Sequence, residues 1–196
     1  MVELLMRLQG EAEDAGGRVH VLLGNHDVLI LSAQRFGGNF VTSWRRNGGI
    51  DADLHRLRQE HIEWVASLPA MLRIGGTLYA HADALFYERY GRTIGEVNRA
   101  FQELLRGADR QVWDRLLDDF SQRHAFDGHG GAVLAARFLS RYGGRRFVHG
   151  HTPIQKVTGQ SPEQVTRSYT YAGGLCTNVD GGLYLGGPGF VYEVRD

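Results

Sequence analysis

The stretch Val19-His-Val-Leu-Leu-Gly-Asn-His-Asp27 joins a short apolar run to four residues that a simple strand-to-loop turn does not require. Residues 19–23 are aliphatic, partly β-branched and of strand length, and they read as a buried strand of an α/β sheet. His20 alternates within that run and is expected to be a packed core side chain. Gly24 permits a sharp turn at the strand's end, which presents Asn25, His26 and Asp27 where open α/β sheets bind ligands. The Asn25 side-chain oxygen is a neutral hard donor that can ligate a divalent cation, and the His26 imidazole can donate a proton to a leaving oxygen. Asp27 can hold His26 by a hydrogen bond and keep it cationic. The alternative is a polar loop with an Asn turn residue and an Asp that caps the next helix. These residues alone leave both readings open.

Three later segments also end apolar runs in functional side chains. They are Leu78-Tyr-Ala-His81-Ala-Asp83, Phe147-Val-His-Gly-His151-Thr-Pro153 and Cys176-Thr-Asn-Val-Asp180-Gly-Gly182. Taken in order, the four blocks make the chain resemble the calcineurin-like metallophosphoesterases, in particular their bacterial phosphoprotein-phosphatase-like branch. Residues 24–27 are similar to that family's G-N-H-[DE] block, 78–83 to its strand ending in His, and 149–153 to its G-H-T-P block. The resemblance covers nearly the whole chain and implies an α/β fold, a metallophosphoesterase-type β-sandwich flanked by helices.

It also implies a site. Asn25, His81 and His151 would bind one divalent metal, Mn²⁺ or Fe, with Zn²⁺ compatible with the mixed oxygen and nitrogen donors. His26 would protonate the leaving alcohol, oriented by Asp27, after in-line attack by a metal-activated hydroxide. The implied substrate is a phosphomonoester of Ser/Thr phosphoprotein or nucleotide type. Residues 44–49, Trp-Arg-Arg-Asn-Gly-Gly, read as a basic turn on the side where the family often places a substrate-binding arginine. Arg45 and Arg46 are therefore the substrate-binding candidates, against a solvated turn.

Family members open with an Asp-x-His strand end and a Gly-Asp-x-x-Asp-Arg-Gly block, and no such sequence precedes Met1. Residues 2–9 have helical spacing and look like the helix that follows that block. The chain is expected to be N-terminally truncated, starting inside the fold without the ligands of a second metal. A non-catalytic phosphate- or metal-binding remnant is the alternative function. An unpaired edge on residues 19–23 would give a route to self-association.

Composition narrows the classes. With 196 residues and 42% hydrophobic content, the chain can bury one core and is expected to be a single metallophosphoesterase domain over residues 1–196, with a helical cap-like insert at about 85–130. The 22 basic and 22 acidic residues leave no net field to recruit nucleic acid or an anionic membrane. Lys156 is the only lysine, the other basic residues being arginine, the better bidentate partner for phosphate. The single cysteine, Cys176, excludes an internal disulfide, suits a reducing compartment and reads as a small core residue on a strand. Without a signal-like or membrane-length apolar run, the expected location is the cytoplasm.

The remaining elements follow from periodicity and breakers. A short helix is expected at 28–31, a loop at 36–40 and one amphipathic helix at 51–68 with His55 and His61 on its surface. A β-hairpin with a Gly-Gly turn is expected at 71–80, then helices through 120, among which Asp114, Asp118 and Asp119 share a solvated face. His124, Asp127 and His129 belong to a connector loop, residues 132–142 to a helix and 146–148 to a strand. The glycine-rich tail from 155 onward is expected to be an antiparallel meander that closes a second sheet.

Overall fold

The expected hairpin forms, with β1 (Met71–Ile74) antiparallel to β2 (Thr77–Ala80) and Met71 opposite Ala80. The structure is a computed structural model that describes residues 1–194, and in it the hairpin is one side of a five-stranded sheet. β2 pairs in parallel with β3 (Arg146–His149), while β4 (Tyr169–Tyr171) runs antiparallel to β5 (Cys176–Asn178). β5 is parallel to β3, giving the order β1-β2-β3-β5-β4. Among the described residues the tail therefore adds two strands to this same sheet instead of closing a second one. Parallel β2 and β3 end on the same side, which brings the residues just past them, His81 and His151, together.

The helices are α1 (Val2–Asp14), α2 (Asn25–Phe36), α3 (Asn39–Arg46), α4 (Asp51–Arg56), α5 (Gln59–Ser67), α6 (Ile94–Arg106), α7 (Arg110–Phe120), α8 (Gly131–Tyr142) and α9 (Ile154–Thr158). None of the described helices is long and apolar enough to cross a membrane. The loop expected at 36–40 shrinks to Gly37 and Gly38, both with positive φ, which turn the chain from α2 directly into α3. The single helix expected at 51–68 is two. Leu57 and Arg58 take extended backbone, and the His61 ring turns inward so that Nδ1 accepts the Arg58 N–H at 3.2 Å. His61 is thus a buried capping residue and not a surface one.

An aromatic core packs between the sheet and α6 to α8. Phe86, Tyr87, Phe101, Phe120, Phe138 and Phe147 are each at most 1% exposed, and their rings meet tilted, edge-on or stacked. Full burial of one such ring is worth roughly 1.5–3 kcal/mol. Asn98 of α6 finishes one edge of the sheet: its Oδ1 accepts the N–H groups of Ala70 and Met71 at 2.9 and 3.0 Å, and its Nδ2 donates to the Met71 carbonyl at 2.9 Å.

Residues 19–23 do not form the expected strand. Their side-chain pattern suits a sheet, yet a strand exists only as part of a ladder, and no described strand lies alongside to pair with them. Leu23 N–H donates to the Pro69 carbonyl at 3.0 Å, and Val19 carbonyl takes the Gln9 amide at 3.1 Å. Among the described residues the peptide groups of His20, Val21 and Leu22 have no partner. His20 is exposed, which corrects its expected place in the core. Only at Leu23 does the segment become fully buried.

Candidate metal and phosphate site

Gly24 ends this segment and caps α2. The Asp27 Oδ2 accepts the Gly24 N–H at 2.7 Å, one half of a capping box. That bond corrects the expectation that Asp27 would hold His26: the carboxylate serves the first turn of α2, and no hydrogen bond between the two is found among the described residues. Burial raises the Asp27 pKa to about 6 despite the Gly24 N–H, which pulls it down. The lack of a side chain at Gly24 also matters, because a Cβ there would come within 3.1 Å of the His81 ring.

Asn25 opens α2, His81 follows β2, and His151 follows β3. The Asn25 Oδ1 lies 2.8 Å from His81 Nε2, which is 3.0 Å from His151 Nδ1. A backbone bond from Gly150 N–H to the His81 carbonyl at 3.0 Å ties the two histidine loops. His151 has a left-handed backbone, φ 70°, a conformation costing about 1–3 kcal/mol in a non-glycine residue and often found at functional sites.

The electrostatics keep both imidazoles neutral. Burial, then the neighbouring His151, drives the His81 pKa down to about 3, and burial, then Arg123, drives His151 down to about 4. Asn25 Oδ1 and His151 Nδ1 thus both lie against His81 Nε2, and the three make a neutral oxygen and nitrogen donor set that fits a divalent metal of the borderline class. The set contains no carboxylate, and the described residues include no group of three or more His, Cys, Asp or Glu placed to hold a metal.

His26 stands beside this cluster, exposed on one side and edge-on to Trp44 on the other, at a 6.3 Å ring separation; burial lowers its pKa. A groove of about 190 Å³ is lined by Asn25, Ser43, Asn47, Asp118, Ser121 and Arg123. Arg45 and Arg46 do not line it. Both lie on α3, and Arg45 is committed to Asp51 through two hydrogen bonds of 2.8 and 2.6 Å. Arg123 is the cation that the sequence reading passed over. It sits in the connector loop, exposed, and its Nε–H donates to the Ser121 carbonyl at 3.2 Å. The available signal was its place beside the histidine-rich loop, with no motif to single it out.

Behind the cluster lies a buried polar group. The Tyr171 hydroxyl donates to Asp83 Oδ2 at 2.8 Å and lies 2.8 Å from His149 Nε2. Burial, then the Asp83 charge, pushes the Tyr171 pKa far up, so the hydroxyl stays protonated. Cys176 is buried on β5 as expected, its thiol pushed up to about 12 by burial.

The chain belongs to the calcineurin-like phosphoesterase family, whose model matches residues 1–155. Its fold is similar to that of a cold-active protein tyrosine phosphatase, with a TM-score of 0.69 and 20% identity over 96% of this chain. The cold-active protein-tyrosine phosphatase of a psychrophilic Shewanella species gives the same TM-score and identity. The chain spans 56–57% of the length of these solved structures. No curated protein matches it.

Proposed function

We propose that the chain takes part in phosphomonoester hydrolysis, with a divalent ion, Mn²⁺ or Fe, held by Asn25, His81 and His151. One observation carries this reading: Asn25 Oδ1 and His151 Nδ1 converge on His81 Nε2 at 2.8 and 3.0 Å. When bound, such an ion supplies Lewis acidity toward water and phosphoryl oxygens. Arg123, in the lining of the groove that Asn25 also lines, offers its charge to the substrate phosphate. His26 gives the proton of a ring nitrogen to the leaving oxygen. Asp27 keeps the first turn of α2 in place, so that Asn25 and His26 emerge in fixed directions. The neighbours are named for protein phosphotyrosine, which makes aryl phosphates the first substrates to try, ahead of phosphoserine peptides and nucleotides.

A second reading, phosphate or metal binding without turnover, is favoured by the absence of a carboxylate from the ligand set, because a bridging carboxylate is what would hold a second ion. Turnover of p-nitrophenyl phosphate with Mn²⁺ separates the two. We expect the chain to hydrolyse it and His26→Ala to lose at least 100-fold in kcat while still binding Mn²⁺. Equal turnover by that variant would remove His26 from the reaction; Mn²⁺ binding with no turnover by the unaltered chain would select the second reading.

A further inference from the structure

We infer that Tyr171 is a positioning residue for the metal ligands, its hydroxyl bridging Asp83 and His149 and so locking the two loops that carry His81 and His151 at their chelating separation. The inference rests on the metal reading proposed above. Asp83 lies two residues beyond His81, and His149 two residues before His151. Tyr171 reaches both from edge strand β4, across two intervening strands from β2.

The circuit closes through the backbone. Gly150 N–H donates to the His81 carbonyl, and the Gly150 carbonyl faces His149 Nδ1 at 3.0 Å. Asp83 Oδ1 accepts the His124 N–H at 3.1 Å, and the Asp83 carbonyl accepts Ala125 N–H at 3.0 Å, which also anchors the loop carrying Arg123. Asp83 and His149 are each 3% exposed, so neither can exchange its Tyr171 bond for bulk water. Stranded buried polar groups restore their hydrogen bonds by moving, and here moving means displacing a ligand loop. Groups bonded directly to a metal ligand typically change metal affinity 10–100-fold when removed; Tyr171 acts one step further out, through the residues that flank the ligands, and its effect is placed at the low end of that range. The adjoining cavity, about 10 Å³, has room for a single water at most, so the cluster is no ligand pocket of its own.

Calorimetric titration of Mn²⁺ onto the whole chain tests the assignment. Tyr171→Phe keeps the ring stacked on Tyr169, 5.6 Å away, and removes only the hydroxyl. The expected result is Mn²⁺ affinity weakened about tenfold or more, with Tyr169→Phe, on the same strand, unchanged. An affinity within about twofold of the unaltered chain would overturn the brace. Should Tyr171→Phe fail to fold, Asp83→Ala removes the acceptor of the Tyr171 hydroxyl and must show the same weakening. If the unaltered chain itself takes no Mn²⁺, the metal reading fails, and amide exchange at Gly150 decides the brace separately. Faster Gly150 exchange in Tyr171→Phe, with β2 and β3 still protected, supports it, and unchanged exchange overturns it.

Discussion

The two sides of the molecule are held together by different means. The side made of the sheet and α6 to α8 encloses a continuous aromatic core, with Phe101 and Phe138 wholly removed from solvent. On the other side, α1 contains no buried residue and residues 20–22 leave their peptide groups without partners among the described residues. That side is attached by the partial packing of Val2 and Val21 against the core and by discrete polar links: Gln9 bridges the Val19 carbonyl and the Trp64 indole at 3.1 and 2.8 Å, and Glu3 pairs with the exposed Arg58. Exposed ion pairs of that kind contribute little. The site straddles the boundary. His81 and His151 come from the firmly packed side, whereas Asn25 and His26 follow the first fully buried residue of the weakly held one. Assembly of the donor set therefore depends on how well the junction at Leu23 and Gly24 is kept.

The contrast can be broken at its strong end first. Phe101→Ala empties a fully buried site and should cost about 3–5 kcal/mol in urea unfolding; a cost under about 1 kcal/mol would mean that the core is not what stabilises that side. Asn98→Ala strips the β1 edge of its three hydrogen bonds beside fully buried Met71, and about 2 kcal/mol should be lost. Gln9→Ala sharpens the comparison at the weak end. About 1 kcal/mol should be lost locally, seen as faster amide exchange in α1 and quicker trypsin cleavage after Arg18, with the global midpoint almost unmoved. A matching fall in the global midpoint would show that the two sides unfold as one.

What could be read from the residues alone follows the same division. The hairpin and the α/β character are legible from short apolar runs and their glycine turns, whereas the grouping of Asn25, His81 and His151 is legible only through the family resemblance of the blocks that hold them. The strand at 19–23 was misread because the pattern reports which side chains suit a sheet and not whether a neighbour is present to pair with. His61 was placed on the surface by helical spacing, but the break at Leu57 and Arg58 rotated it inward. Asp27 was assigned to His26, its sequence neighbour, when the nearer need was the Gly24 N–H. The links made by Asn98, Arg123 and Tyr171 join positions far apart in the chain, and no local pattern encodes them.

Gly24 carries a constraint that chemistry imposes on a residue with no chemistry of its own. Its φ of −115° is open to any amino acid, so conformational freedom does not explain the glycine. The constraint is space: a methyl group would stand 3.1 Å from His81 Cε1 and Nδ1, and 3.4 Å from the Asp27 carboxylate. In a saturation scan scored by metal retention, alanine at position 24 should lower retention by displacing the His81 ring a few tenths of an ångström, and larger side chains should lower it further. Such a scan would map how much room the His81 ring leaves, and the boundary of the site should be drawn to include the hydrogen atom at that Cα.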